Sequence, residues 1–269
     1  MFNIPSFFGF RAGSGVSYDP DALAFFGRVD AATATTDFLT VTEKDAVNDL
    51  VLQMKSDLIW TSMKAIYPMV GGGTGTLAQK QAACEQNLVS SSFTGTFSSG
   101  WTFASTGVTP TNAYMITGLA PSGNLSQNSA HVSSYIRGTN AANQIYMGSK
   151  DAGSNLIYVL NFGFVAVNNG DQAATNLAGQ NGFLLNTRTS ITNLVQYRNA
   201  TAVNTLSVTS TGLNTQPIWI GAYNNNGAIL FPSNNEIAFS SIGDGLSTLE
   251  ESDFYTAVNT FQTTLLRNV

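Results

Sequence analysis

Apolar and polar residues alternate over many short segments in the second half of the chain, and this period of two predicts β-strands. The segments are rich in Val, Ile, Phe, Tyr and Thr, and Gly, Asn, Asp or Pro residues separate them. The predicted strands cover residues 89–93, 100–104, 113–119, 130–137, 144–148, 156–167, 182–186, 192–198, 205–209, 218–223, 228–231 and 236–241. Because no long helix interrupts them and no internal repeat is found, they predict a mainly β fold, an antiparallel β-sandwich or jelly roll.

The C-terminal stretch combines a hairpin with a capped helix. The polar turn 224–227 between strands 218–223 and 228–231 is typical of a β-hairpin. Glycines at 243 and 245 end the last strand, and Ser247 with Glu250 forms a capping box. Apolar residues then recur at helical spacing, at Phe254, Val258, Phe261 and Leu265. We expect an amphipathic C-terminal helix that packs on the sandwich or on an earlier helix.

The first third of the chain has a helical period instead. Thr42 and Asp45 predict the cap of a helix over 43–59, with a single apolar stripe made by Val47, Leu50, Val51, Met54 and Leu58. A second short helix over 60–67 is predicted to continue the stripe and to end at Pro68. Residues 21–26 predict a helical turn, 31–36 a linker, 71–75 a glycine hinge, and the surroundings of Cys84 a turn of helix. The predicted division is an extended arm over 1–40, a helical neck and hinge over 41–75, and a sandwich with its helix over 76–269.

The first residues form the aromatic part of the arm. Its apolar side chains, broken by proline and glycine without helical or strand period, are Phe2, Ile4, Phe7, Phe8 and Phe10. Two interpretations stay open: a strap on the protein's own domain, or a docking peptide whose aromatic residues anchor the chain to a partner.

Charge excludes one class of partner. Charged residues make up 10% of the chain and the net charge is -5, whereas nucleic-acid binders concentrate Lys and Arg on one surface. The N-terminus lacks a basic leader with an apolar core, and no run is long and apolar enough to span a membrane. The sequence therefore predicts synthesis in the cytoplasm, no nucleic-acid partner and no membrane span.

Candidate catalytic and metal-binding residues are few. The chain has one cysteine, Cys84, which cannot form an internal disulfide, and one histidine, His131. These two residues are too few ligands for a zinc site. A serine hydrolase is not indicated either, because the sequence has no G-x-S-x-G motif. Between residues 86 and 243 the acids are Asp151, Asp171 and Glu236, which gives no carboxylate pair of the kind that glycosidases use and too few ligands for a calcium site. Asp151 and Asp171 lie in turn-like sequences, where they are expected to cap their own backbone. We predict no catalytic residue, metal site or cofactor.

A binding surface is the remaining candidate site. Aromatic and amide side chains that suit a neutral polysaccharide come together at Trp219, Tyr223, Asn224, Asn225 and Asn226, with Asn234 and Asn235 nearby. The alternative interpretation is that the Asn-rich run only supplies the positive φ angles of a hairpin turn. Two glycosylation-like triplets, at Asn124 and Asn199, are taken as chance matches because no secretory signal accompanies them.

Two blocks resemble segments of tailed-bacteriophage virion proteins that carry a concanavalin A-like, laminin-G-like jelly roll. They are DLIWTSMKAIYPMVGG at 57–72 and the run from IWIGAYNNNG at 218 to the C-terminal helix. The resemblance implies a structural component of a phage particle, a head or tail fibre or decoration protein located in the virion and assembled in the host cytoplasm. It further implies other virion proteins as partners, a homo-oligomer such as a trimer, and an outward lectin-like domain that contacts host cell-surface polysaccharide. A carbohydrate-binding module is the alternative main role, and a glycan-degrading enzyme is a third.

Overall fold

The computed structural model describes residues 17–139, 143–160, 164–173 and 181–269, so the arm residues Phe2, Ile4, Phe7, Phe8 and Phe10 lie outside the described residues. The helices are α1 Pro20–Thr33, α2 Val41–Ser56, α3 Leu77–Cys84 and α4 Thr248–Thr264, with a 3-10 helix at Trp60–Ser62. The strands are β1 Met63–Tyr67, β2 Thr96–Phe97, β3 Trp101–Ala104, β4 Gly107–Pro110, β5 Met115–Ile116, β6 Ala130–Ile136, β7 Ile145–Lys150, β8 Leu156–Leu160, β9 Phe164–Asn169, β10 Gln172–Ala173, β11 Gly182–Arg188, β12 Asn193–Arg198, β13 Thr201–Ser207, β14 Trp219–Ile220, β15 Tyr223–Asn225, β16 Ala228–Leu230 and β17 Ile237–Gly243.

The strands form two sheets. Sheet A has the order β13-β12-β11-β6-β17-β4-β3, and β1 pairs with β17; sheet B has the order β10-β9-β8-β7-β14-β5-β2, with β15 and β16 beside β7. Among the described strands the pairing is antiparallel except for β15 with β7. The fold class predicted from the sequence, an antiparallel β-sandwich with N-terminal helices and a C-terminal amphipathic helix, is confirmed.

The molecule has three layers, namely helices, sheet A and sheet B. Along β6, Val132 and Ile136 enter the core between the sheets, while Tyr135 enters a second core between sheet A and the helices. This second core includes Val47 and Phe254 from α2 and α4. Sheet A is therefore covered on both faces, which explains why every residue of β6 is buried. The outer face of sheet B, the face turned away from sheet A, is not covered by any described helix.

The early helices differ from their predictions. The α2 capping box is formed by Thr40 and Glu43, two residues before the predicted Thr42 and Asp45, because the Thr40 hydroxyl accepts from the Glu43 N–H and the Glu43 carboxylate accepts in return. The prediction of a single helical turn followed by a linker is wrong, since α1 runs over 14 residues from an Asp19 cap. The predicted stripe is buried at Val47, Leu50, Val51 and Met54 but not at Leu58. Helix α4 packs on both α2 and sheet A.

The predicted second helix over 60–67 is wrong beyond its first turn. Leu58 has a φ of 62° and is 81% exposed, so the chain leaves the helical path there. After the short 3-10 helix, β1 pairs with β17. Its Ile66 faces the helices and its Tyr67 faces sheet B. In this strand Ala65, Ile66 and Tyr67 follow one another without a polar residue between them, so the alternation that predicts a strand is missing.

Several strands also differ from the prediction. Residues 89–93 form no strand, the segment 156–167 is two strands, and β1, β2, β4 and β10 were not predicted. The glycine run that was predicted to be a hinge packs closely against its neighbours. The Gly71 N–H donates to the Glu43 carboxylate at 2.8 Å, and a Cβ on Gly72 would lie 2.5 Å from the Ala104 carbonyl oxygen.

Candidate functional site

A cavity of about 320 Å³ opens on the outer face of sheet B. Strands β7, β8, β9 and β15 supply its floor, and the β15–β16 hairpin supplies one wall. Its lining combines aromatic, aliphatic and polar side chains: Ile145, Lys150, Leu156, Tyr158, Phe164, Asp171, Tyr223, Asn225, Leu230 and Phe231. A mostly apolar cavity with a few polar groups is the usual form of a small-ligand site.

Tyr158 and Tyr223 lie side by side on the floor of the cavity, with a glycine between them in the sheet. Gly148 of β7 lies opposite Tyr158 of β8 on one side and opposite Tyr223 of β15 on the other. The rings of Tyr158 and Tyr223 meet edge to face, with 5.9 Å between centroids and 79° between planes. A Cβ on Gly148 would lie 2.5 Å from the Cβ of Tyr158, so a side chain there would displace the pair.

The Tyr158 hydroxyl donates a hydrogen bond of 2.7 Å to Oδ1 of Asp171. Burial and this hydrogen bond raise the pKa of Tyr158 well above its usual range, so the hydroxyl remains protonated and keeps its role as donor. Asp171 itself is exposed. One carboxylate oxygen is thereby oriented by Tyr158, while the group as a whole stays accessible to a ligand.

The Tyr223 hydroxyl differs because it is buried and has no hydrogen-bond partner among the described residues. Burial also raises the pKa of Tyr223 above its usual range, so it is a neutral group that can both donate and accept. Leaving such a group unsatisfied costs about 1–3 kcal/mol. A ligand or a water molecule in the cavity would remove this cost.

The cavity has two charged side chains, which is notable because charged residues are few in this part of the chain. Between residues 138 and 235 the sequence has five charged residues, which are Lys150, Asp151, Asp171, Arg188 and Arg198. Arg188 donates to four backbone carbonyls, Arg198 donates to another, and Asp151 accepts from backbone N–H groups. Lys150 and Asp171 both line the cavity. Within the described ranges the Lys150 ammonium forms no ion pair, so both are available to a ligand.

The structure separates the residues of the predicted binding surface. Tyr223 and Asn225 line the cavity, but Trp219 stacks on Tyr114 with 3.9 Å between centroids and does not line it. Asn224 is buried and Asn226 has a φ of 49°. Asn226 thus has the positive φ that the turn interpretation requires, whereas Asn224 lies in β15 without one. A glycan-binding role for the five residues stays a prediction.

Sequence reasoning missed Tyr158, Lys150 and Asp171. Asp171 was expected to cap its own turn, whereas its carboxylate accepts a hydrogen bond from the Tyr158 hydroxyl thirteen residues earlier. Ile157 and Val159 of β8 face the core between the sheets, so alternation places Tyr158 on the other face of the strand. This alternation was present in the sequence. The pairing with Asp171 depends on how β8, β9 and β10 are aligned, which the alternation does not specify.

A second polar cluster lies between sheet A and the helices. Nδ1 of His131 donates to the backbone carbonyl of Asp244 at 2.6 Å, and Nε2 accepts from the Ser241 hydroxyl at 3.0 Å. The pair has the spacing of a base and a nucleophile, but both residues are 0% exposed. Burial lowers the pKa of His131 to about 4 and raises the pKa of the buried Cys84 thiol to about 12. His131 and Ser241 therefore form hydrogen bonds within the buried interior, and Cys84 fills the core.

Metal-binding clusters and membrane-spanning helices are both absent from the described residues. No group of three or more His, Cys, Asp and Glu side chains is placed to hold a metal ion in this part of the chain. Of the helices that the structure describes, none has the length and hydropathy required to cross a membrane.

No protein-family model matches the sequence, and no curated protein matches it. Among solved structures, domain 4 of AbnA, a GH43 extracellular arabinanase from Geobacillus stearothermophilus in complex with arabinotriose, is 12% identical with a TM-score of 0.47, over 72% of this chain and 98% of that one. A mutant of Trypanosoma rangeli sialidase displaying trans-sialidase activity is 7% identical with a TM-score of 0.45, over 82% and 40%. The Ruminococcus gnavus IT-sialidase CBM40 bound to alpha2,3 sialyllactose is 15% identical with a TM-score of 0.32, over 44% and 77%. At these values the likeness carries no argument about function.

Proposed function

We propose that this protein is a carbohydrate-binding module whose ligand occupies the cavity on the outer face of sheet B. The observation that carries the proposal is the buried Tyr223 hydroxyl, which lines the cavity and has no partner among the described residues. Beside it, the Tyr158–Asp171 pair offers an oriented carboxylate.

A sugar ring matches the chemistry of this cavity. Sugars have an apolar face of C–H groups and a rim of hydroxyls, so they require aromatic rings together with donors and acceptors. Phe164 and Phe231 are 41% and 39% exposed at the cavity and can contact the apolar face. Asp171 accepts hydrogen bonds from hydroxyls, and Asn225 both donates and accepts. This combination favours a glycan over a purely apolar ligand.

Binding is favoured over cleavage. Hydrolysis of a glycosidic bond usually requires a pair of carboxyl groups on either side of it. Asp171 is the one acid among the described residues that line the cavity. A glycan-degrading activity would therefore lack its second carboxyl group there. Release of reducing ends from a bound polysaccharide would contradict this interpretation.

The Tyr223 hydroxyl should form one hydrogen bond to a bound glycan. We expect Tyr223→Phe to bind a glycan identified on an array roughly 3- to 10-fold more weakly, because it loses one ligand hydrogen bond of about 1 kcal/mol. The free energy of unfolding should stay equal or rise, since the wild-type hydroxyl has no partner among the described residues. Titration calorimetry and urea unfolding measure the two effects.

Tyr197→Phe is the matched control. Its hydroxyl lies 3.0 Å from that of Thr248 on the opposite side of sheet A, so its loss should reduce stability and leave glycan affinity unchanged. Equal affinity of wild type and Tyr223→Phe for every array ligand, or the absence of any glycan ligand, would reject the cavity as the binding site.

The virion role stays a prediction that rests on the sequence resemblance. Its proposed anchor residues, Phe2, Ile4, Phe7, Phe8 and Phe10, lie outside the described residues. A reconstruction of a particle that locates this chain would test the virion assignment, its protein partners and its copy number together. A glycan-binding module on a particle surface would satisfy both proposals.

A further inference from the structure

The hairpin beside the cavity turns on an asparagine followed by a glycine. Asn226 and Gly227 have φ angles of 49° and 92° and join Asn225 to its ladder partner Ala228, which is the two-residue turn with positive φ at both positions. The chain has three Asn-Gly pairs, at Asn169, Asn181 and Asn226. Asn169 is 1% exposed and Asn181 is half-buried, whereas Asn226 is exposed.

An Asn-Gly pair can modify itself. The backbone nitrogen of the glycine loses its proton and forms a bond to the side-chain carbonyl carbon of the asparagine. The bond from that carbon to the amide nitrogen breaks, and ammonia leaves with the proton. Water then opens the resulting cyclic imide to aspartate or isoaspartate. Glycine favours the reaction because it has no Cβ to obstruct the approach, and the attacking atom is its own N–H nitrogen.

In this hairpin the backbone N–H of Gly227 already donates a hydrogen bond. The Gly227 N–H donates to Oδ1 of Asn224 at 2.7 Å. Asn224 is itself fixed, because its Nδ2 donates to the Pro217 carbonyl at 2.8 Å and its side chain is 1% exposed. The Asn226 N–H donates to the Lys150 carbonyl at 2.8 Å, which ties the turn to β7.

We propose that the buried Asn224 side chain protects Asn226 from deamidation in the folded protein. The hydrogen bond to Asn224 retains the proton that the Gly227 nitrogen must lose and directs that nitrogen toward Asn224. This proposal does not depend on the proposed function.

Deamidation here would change the charge of the cavity wall. The sequence from 199 to 235 contains no charged residue. A carboxylate at position 226 would follow the cavity residue Asn225 directly. It would also replace the amide whose oxygen accepts from Nε2 of Gln216 at 3.3 Å. The asparagine at 224 therefore protects the neutral character of the hairpin.

The test uses intact folded protein incubated at mildly alkaline pH, followed by peptide mass spectrometry of the amide-to-acid conversion at each Asn-Gly pair. We expect Asn224→Ala to convert Asn226 roughly 5- to 10-fold faster than wild type, the factor that corresponds to a lost hydrogen bond. Gln216→Ala is the matched control, because it removes a contact of the Asn226 side chain and leaves the Gly227 hydrogen bond in place. Asn224→Ser, which restores an acceptor, should be intermediate.

Two results would overturn the proposal. One is an Asn226 conversion rate in folded Asn224→Ala equal to that of wild type, or matched by Gln216→Ala. The other needs no variant, because amide hydrogen exchange of Gly227 in wild-type protein reports the same hydrogen bond. Exchange at the rate of the excised peptide would show that the N–H is not held.

Discussion

At the scale of single residues, burial holds Glu251 and His131 uncharged over a pH range in which both are charged or titrate in water. Glu251 is fully buried in α4, and neither carboxyl oxygen has a partner among the described residues. Burial raises the pKa of Glu251 from 4.5 to about 7, because a buried charge without a partner is costlier than the neutral acid. Burial lowers the pKa of His131 from 6.5 to about 4, against a smaller opposing effect of its hydrogen bond to Asp244. Between about pH 4 and about pH 7 the folded protein therefore holds both groups uncharged.

We expect Glu251→Gln to become increasingly stable relative to wild type as the pH rises from about 4.5 to about 7. In this window folded wild type retains a proton that the unfolded chain releases, so rising pH favours unfolding. Glutamine does not titrate and avoids this loss, which reaches about 3 kcal/mol.

Urea unfolding of both proteins at about pH 5 and about pH 8 measures the effect. His131 acts in the opposite direction, because its lowered pKa makes stability rise as the pH rises from about 4 to 6.5. His131 titrates in both proteins, so its effect cancels when their free energies of unfolding are compared. A difference in unfolding free energy that is the same at both pH values would contradict the assignment of Glu251.

At the scale of elements, local capping sets where the helices begin. Three described helices start with a reciprocal capping box, at Thr40 with Glu43, Thr76 with Gln79, and Ser247 with Glu250. The box at Ser247 follows β17 after a short turn and directs α4 back across sheet A. Its position was predicted correctly because Ser247 and Glu250 stand three residues apart before an apolar stripe.

Ser247→Ala should lower the free energy of unfolding by about 1 kcal/mol, because the first turn of α4 loses its acceptor. Ser252→Ala is the control, since it makes the same chemical change at an exposed position inside the same helix, where alanine is a slightly better helix former. Thermal unfolding of both variants tests the difference. Equal destabilisation by the two substitutions would show that the cap does not stabilise α4.

At the scale of the whole molecule, the helical layer decides which sheet face is left for function. The Phe254 ring contacts the rings of His131, Phe183 and Phe239, with centroid distances of 6.0, 5.4 and 6.1 Å. These residues lie on β6, β11 and β17, so one side chain of α4 spans three neighbouring strands of sheet A. The layer therefore belongs to the core of the molecule, and the cavity is on the opposite side, on sheet B.

Phe254→Ala should cost roughly 3–5 kcal/mol of unfolding free energy, because it leaves a cavity between α4 and sheet A. Leu249→Ala in the same helix removes an apolar side chain that is 72% exposed and should change stability by less than about 0.5 kcal/mol. Urea unfolding compares them. A loss below about 1 kcal/mol for Phe254→Ala would mean that the helices are not part of the cooperative core.

The sequence by itself determined the elements whose signals are local. Alternation predicted β6, β11, β12 and β17, which pair in the middle of sheet A, and capping with periodicity predicted α4. A polar turn was predicted at 224–227 because positive φ angles favour asparagine and glycine, and the structure turns at Asn226 and Gly227, with Asn224 and Asn225 in β15. Strand β1 was mistaken for helix, because Ala65, Ile66 and Tyr67 follow one another without a polar residue between them.

Only the tertiary structure decided which side chains meet. Tyr158, Asp171 and Tyr223 come from segments that lie up to 65 residues apart, at positions 158, 171 and 223, and the parallel pairing of β15 with β7 brings them together across Gly148. Trp219 and Tyr223 are close in sequence and both pair with Gly148 of β7. Only Tyr223 lines the cavity. Local patterns specify a strand and its faces, but strand order and register depend on packing between distant segments. The candidate site is therefore a product of the fold rather than of any one motif.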